Sequence, residues 1–326
     1  MNLETGGKSI EDGPGPAGKP RGTGNGRVAL TIGTFDGVHI GHQSLLERTR
    51  RIAEERGIES AAYTYEVPPR RHLKEEGPPL LMEPAVKKER LLEYVDRVFL
   101  GDFPEMRDYT PEEFVERVLV ERLDTAAVVV GADWRFGRNR SGSFRDLERL
   151  SNGRFSVHPE EQVKKEGRPV SSTWIREAIK DGNMELATEL LGRYPAYRGT
   201  VVRGYGVGVE LGIPTANLNV DDRIVSPKDG SYAALVELEK EVFKGAAHVG
   251  NRPTFESEEG SEIEVHLMGF DGDLYGKELK VDLVRYLNQN NKYSELGELK
   301  EAIEGYIKRA EKVLNDLEHS FETADS

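Results

Sequence analysis

Two histidines flank an Ile-Gly pair in Gly33-Thr34-Phe35-Asp36-Gly37-Val38-His39-Ile40-Gly41-His42, between the apolar run Val28–Ile32 and a stretch of helical periodicity. Backbone N–H groups at the start of a helix attract phosphate. Gly41 permits close approach of a ligand, and His39 and His42 can each donate to oxygens of a triphosphate. Such a group suits nucleotidyl transfer, where the nucleophile already carries its charge. The protein's task there is positioning and charge stabilisation at the attacked α-phosphorus. Gly33, Phe35, Asp36 and Gly41 are the nucleotide-binding candidates around the two histidines. The alternative is a pair of histidines that merely cap a helix or face solvent, and the strand–turn–helix setting argues against it.

Further along, Ser171-Ser172-Thr173-Trp174-Ile175-Arg176 reads as a hydroxyl-rich cap opening a short helix. Ser172 and Thr173 are candidates for nucleotide contact, and Arg176 in the first turn faces anions. Taken alone, the segment reads as an ordinary capped helix with a solvated arginine, and the upstream histidines turn the reading toward anion binding. A glycine-studded loop with Gly204, Gly206, Gly208 and Gly212 then leads into Ile213-Pro214-Thr215-Ala216-Asn217. It lacks the Gly-Lys-Ser/Thr ending and the helix of a Walker loop. Glycines over a phosphate chain, with Pro214 beside them and the short oxygen side chains of Thr215 and Asn217, still make a hard-cation and nucleotide site. In Glu262-Ile263-Glu264-Val265-His266-Leu267 polar and apolar residues alternate, so Glu262, Glu264 and His266 share one face of a strand. That face can carry an active-site carboxylate at Glu264, whereas Glu262 reads as solvated.

Composition narrows the partners. The 326 residues contain 37% hydrophobic and 32% charged positions, enough for two globular cores. No apolar run reaches the roughly 18 residues of a membrane span, and the first 26 residues lack the apolar core of a signal peptide. A cytoplasmic protein with no membrane partner is expected. A formal charge of −13 without a long basic run argues against nucleic acid. There are no cysteines, so any metal must sit on oxygen or imidazole ligands, and magnesium carried by a nucleotide fits best.

Periodicity places the elements that position these residues. Residues 1–26 are Gly- and Pro-rich and read as a disordered tail. Strands are expected at Val28–Ile32, Ser60–Tyr65, Arg97–Phe99 and Ala126–Gly131, with helices from the histidine segment to about Arg56 and over Pro111–Arg122. Leu45, Leu46, Thr49, Ile52 and Ala53 fall on one face of the first helix. The alternation implies a parallel α/β sheet. Near Gly192 the pattern changes to short strands at Arg198–Arg203, Tyr232–Leu238, Phe243–Val249, Glu262–Phe270 and Lys280–Leu287, mainly antiparallel. An amphipathic helix from Ser294 to about Leu317 closes the chain. The expected domains are therefore 27–188 and 189–318, with a disordered tail over 319–326.

The His39-Ile40-Gly41-His42 and Ser172-Thr173-Trp174-Ile175-Arg176 segments resemble the His-x-Gly-His and Ser-Thr-x-x-Ile-Arg motifs of the nucleotidyltransferase superfamily. There the arginine contacts the leaving phosphates. Val130-Gly131-Ala132-Asp133-Trp134-Arg135-Phe136-Gly137 resembles a segment of bacterial FAD synthetases, which implies that Asp133 lies near the nucleotide and that its aromatic neighbours shape the pocket or pack in the core. In the second half, Leu211–Asn217, Asp229–Tyr232, Val249–Thr254, Glu264–Leu267 and Asp271–Gly276 match the riboflavin kinase pattern in order and spacing. The resemblance to bifunctional riboflavin kinase/FMN adenylyltransferases implies a Rossmann-like nucleotidyltransferase domain and, after it, a six-stranded antiparallel β-barrel. It implies ATP under the glycine loop, magnesium on Thr215 and Asn217, and Glu264 as the base for the ribityl hydroxyl. Riboflavin, FMN, FAD and ATP are the ligands it implies.

Three departures stand out. Val207 and Val209 replace basic residues of the glycine loop, Glu66-Val67-Pro68-Pro69-Arg70 lacks the family's Pro-His-Pro histidine, and Asn288-Gln289 replaces an Arg-Pro pair before Lys292-Tyr293. The rivals are a nucleotidyltransferase of different specificity joined to a kinase, and a flavin-binding regulator without turnover. The complete set His39, His42, Arg176, Thr215, Asn217 and Glu264 argues against the regulator.

Overall fold

The computed structural model describes residues 26–68, 77–204, 208, 211–251, 261–289 and 296–324. The expected N-terminal tail up to residue 25, Pro69-Arg70, Gly206, Val207, Val209, Arg252–Thr254 and Lys292-Tyr293 lie outside the described residues. The chain divides into two compact units: Met1–Pro78 with Glu83–Val170, and Pro79–Met82 with Ser171–Ser326.

In the first unit, β1 (Val28–Ile32), β2 (Glu59–Tyr65), β3 (Arg97–Gly101), β4 (Thr125–Gly131) and β5 (Ser156–Glu160) form one parallel sheet in the order β3-β2-β1-β4-β5. All five residues of β1 are buried, as a central parallel strand covered on both faces requires. Helix α1 (Ile40–Arg56) packs Leu46, Thr49, Ile52 and Ala53 inward, in agreement with the periodicity. It stops at Gly57, whose φ of 64° is the left-handed cap conformation that glycine adopts without penalty. Helix α2 (Pro84–Leu92) begins with proline at its first position, where the missing N–H costs nothing. Pro111–Glu113 and Phe114–Arg122 are helical and Phe144–Ser151 forms a further helix.

The second unit is a closed antiparallel barrel of β6 (Ala196–Val202), β7 (Ala216–Asn219), β8 (Gly230–Leu238), β9 (Glu241–Asn251), β10 (Ser261–Leu267) and β11 (Glu278–Asn288). Its order around the barrel is β6-β7-β10-β9-β8-β11. Along β10, Ile263, Val265 and Leu267 are buried while Glu264 and His266 face outward, which is the alternation a half-buried strand imposes. Two boundaries differ from the sequence reading. The helix α3 (Ser172–Lys180) and the first part of α4 (Met184–Leu191), expected in the first domain, lie in the barrel unit. The Lys228 amide donates to the Ile179 carbonyl and Arg285 pairs with Glu185 at 2.7 Å, and these contacts tie both helices to the barrel. The last helix, α5 (Leu296–Ala324), runs into the stretch expected to be a tail. Nothing after Leu317 breaks a helix, Ala310 and Leu314 pack on Ala233 and Val284, and Lys244 Nζ holds both Asn315 and Glu318 at 2.6 Å.

Leu46→Ala is expected to cost about 2–5 kcal/mol, because a side chain with no exposure leaves a cavity between α1 and the sheet. Urea unfolding checks this through a lower midpoint at unchanged slope.

Candidate active sites

A doubly wound sheet opens a crevice at the carboxyl edge where strand order reverses. Here the reversal falls between β1, whose other neighbour is β2, and β4. The loop leaving β1 is the histidine segment, and the turn leaving β4 carries Asp133. Phe35 and Val38 both have positive φ, 48° and 39°, and both are fully buried. A β-branched valine there is strained, so the surroundings must over-determine the turn.

His39 caps α1: its Nδ1 accepts from the His42 amide at 3.3 Å. A neutral imidazole accepting at Nδ1 carries its proton on Nε2, which fixes the donor. The His39 ring is buried and stacks on the His42 ring at 3.6 Å between centroids, and Phe35 meets His42 edge-on at 5.2 Å. A Cβ on Gly41 would lie 3.2 Å from the His39 ring, and one on Gly33 would lie 3.0 Å from Phe35. Glycine at these positions thus lets the loop close over its own aromatic packing. Phe35 fills space beneath Gly33, so any share it has in a nucleotide site comes through backbone. Asp36 is buried too.

Asp133 is exposed and accepts from Gln162 Nε2 at 2.7 Å. Of its aromatic neighbours, Phe136 belongs to the core and Trp134 stacks on it at 4.9 Å. In the second unit, Ser171 caps α3 by accepting from the Trp174 amide, Ser172 and Thr173 stand in the first turn, and Arg176 Nε donates to the Pro79 carbonyl.

On the outer face of the barrel, Asn217 of β7 lies directly opposite Glu264 of β10, and the Thr215 hydroxyl donates to the Glu264 carboxylate. His266 Nδ1 lies 2.8 Å from the Pro214 carbonyl. Two glycines roof these side chains. A Cβ on Gly204 would collide with the Asn217 amide, and one on Gly208 would fall 2.7 Å from Thr215 Oγ1. The Gly208 carbonyl accepts from the Ile213 amide, and Gly212 takes a positive φ of 75°. Thr215, Asn217 and Glu264, distant in sequence from the first motif set, are thus brought together.

One buried cation escaped the sequence reading. Lys87 of α2 is 4% exposed, and its Nζ donates to the carbonyls of Tyr65, Glu66 at 3.1 Å and Thr34 at 3.4 Å. Burial lowers its pKa to about 8, opposed by the charges of Asp36 and Glu66. Its signal was its spacing, since Lys87 shares a helical face with the buried Leu91 one turn on.

Comparison with known proteins bears on both sites at once. A family model described as FAD synthetase matches residues 23–174, and one described as riboflavin kinase matches residues 191–314. A bifunctional riboflavin kinase/FMN adenylyltransferase of Pseudomonas fluorescens is 36% identical over 285 residues, covering 86% of this chain and 91% of that protein. The chain belongs to that family. A family member of Listeria monocytogenes is 32% identical over 302 residues, covering 90% of this chain and 92% of its own. A crystal structure described as a macrolide-efflux protein from Streptococcus pneumoniae shares the fold with a TM-score of 0.81 and 29% identity, over 88% of this chain and 95% of that one. Among the described residues no helix is long and apolar enough to cross a membrane. The family model for the first half ends inside α3, a helix that by its contacts belongs with the barrel.

The depressed Lys87 has a consequence for stability. Its folded pKa of about 8 lies below the ordinary 10.5, so between these values the unfolded chain binds more protons and stability rises with pH. The cost of burying the charge is full below pH 8 and gone above 10.5. The stability of the wild type relative to Lys87→Met should rise by roughly 3 kcal/mol across that window, measured by urea unfolding at matched pH.

Proposed function

We propose that the chain makes FMN and then FAD from riboflavin with two molecules of ATP, using a separate site for each step. The juxtaposition of Thr215, Asn217 and Glu264 beneath Gly204 and Gly208 carries this reading for phosphorylation. The riboflavin 5′-hydroxyl attacks the γ-phosphorus of ATP, the new P–O bond forms as the bond to ADP breaks, and Glu264 takes the hydroxyl proton. The Thr215 hydroxyl that donates to Glu264 keeps its lone pairs for a cation, and Asn217 adds an amide oxygen. Among the described residues no group of three or more His, Asp or Glu side chains could hold a metal, so a magnesium ion would arrive on the nucleotide's phosphates. Bound there, it would neutralise the charge of the transferring phosphoryl group.

For adenylylation, the FMN phosphate attacks the α-phosphorus and pyrophosphate leaves. The N-terminus of α1, His39 through Nε2 and His42 supply donors to the charge that builds on the phosphates. Gly33, Asp36, Gly41 and Asp133 line the nucleotide's approach at the switch point, Ser172, Thr173 and Arg176 carry the motif that the family uses on the leaving phosphates, and Gly212 and Pro214 belong to the kinase loop. A cytoplasmic location fits a cysteine-free enzyme of soluble substrates.

His42→Ala should lower FAD formation from FMN by on the order of 10²–10³ and leave riboflavin phosphorylation intact. Glu264→Gln should lower FMN formation by roughly 10²–10⁴ and leave adenylylation of supplied FMN intact. Paired assays started from riboflavin and from FMN, with products separated by chromatography, check both. Equal loss in both assays from a folded variant would mean a single shared site. EDTA should stop both reactions and added magnesium should restore them, read in the same chromatographic assay.

A further inference from the structure

Three backbone carbonyls converge on one buried ammonium in the first unit. Thr34 belongs to the loop that leaves β1, and Tyr65 and Glu66 stand where β2 ends. These adjacent parallel strands end at the same edge of the sheet, and Thr64 Oγ1 also donates to the Thr34 carbonyl at 3.2 Å. Directly after Thr34 come the buried, left-handed Phe35 and Val38, and then His39. A backbone so strained keeps its shape only if neighbouring groups hold it. An ammonium has three donors and meets three carbonyls, whereas a neutral amine has two and must release one of them.

We propose that Lys87 is a positioning residue for adenylylation, a cationic pin that fixes the loop between β1 and α1 and so sets where His39 and His42 stand. This rests on the reading of that loop as the adenylylation site. The pin makes no contact with substrate in this role. It acts through the Thr34 carbonyl, and its loss displaces the histidines by about an ångström without unfolding the sheet. A misplacement of that order costs about 10²-fold in rate. The charged groups facing Lys87 are Asp36, in the loop it holds, and Glu66, past the end of β2.

The test uses the full chain and Lys87→Met, which keeps the methylene stem and removes the donors. Adenylylation is measured with FMN, ATP and magnesium as kcat and as KM for each substrate, and riboflavin phosphorylation is measured on the same preparation. The expected result is a fall of about 10²-fold in adenylylation kcat with little change in KM and an unchanged kinase rate. The wild-type adenylylation kcat should also decline as pH rises through about 8, a limb missing from the kinase reaction and from the variant. A variant with wild-type adenylylation kcat overturns the proposal, as does a loss that disappears on cooling the protein to where its melt shows it folded. If the variant fails to fold, the wild-type profile decides, and a kcat flat from pH 7 to about 9.5 overturns it. A wild type that forms no FAD sinks the underlying reading instead, so the two failures are distinguishable.

Discussion

Parallel strands all deliver the chain to one edge of their sheet, and an order that runs β3-β2-β1 on one side and β4-β5 on the other sends the crossovers before and after the reversal to opposite faces. The loop after β1 therefore has to turn sharply from a strand buried on both faces into a helix aimed back over the sheet. That constraint organises the first unit. It concentrates the start of a helix, two stacked imidazoles and a strained turn at one place, and it draws in support from the neighbouring strand end through Lys87. Strain and buried charge are both held in place here: three carbonyls take the Lys87 ammonium, and the strained turn rests on a packed sheet in which Leu30, Val128 and Val130 are closed off from water.

The barrel solves a different problem with a simpler rule. Each strand alternates, so a closed interior of apolar side chains leaves an outer face on which polar groups from paired strands meet in register. Asn217 opposite Glu264 is a direct product of pairing, and Thr215 reaches the same carboxylate from just before β7. The glycines above them matter for what they lack: any side chain at Gly204 would displace the Asn217 amide.

Much of this was legible in the residues. Strand positions in the first half come from apolar runs between turn residues, whereas the face shared by Glu264 and His266 and the inward face of α1 come from periods of two and 3.6, because burial on one side leaves a pattern. The motif residues were legible by type and spacing. Short elements were not: β7 is four residues long, and β5 carries too few apolar residues to announce itself. Lys87 was hidden because a lysine that opens the charged run Lys87-Lys88-Glu89-Arg90 reads as surface until its helix is seen to turn that face inward. The allegiance of α3 and α4 was invisible because amphipathic helices show that they are covered, and not by what. The end of α5 was obscured because charged residues late in an amphipathic helix look like a tail unless their partner, Lys244, is known.

The second unit includes Pro79–Met82, a stretch whose flanking residues on both sides belong to the first. Leu80 lies parallel to Ile224, donates its amide to the Arg223 carbonyl and accepts from the Val225 amide, and the Pro79 carbonyl receives Arg176. The chain thus enters the barrel unit twice, and no single cut in the polypeptide separates two intact halves. Removing everything before Ser171 would strip Arg223 and Val225 of backbone partners and Arg176 of its carbonyl. A fusion that began as two separable genes would, once this stitch had formed, be held together by its kinase half's need for four residues from within the other.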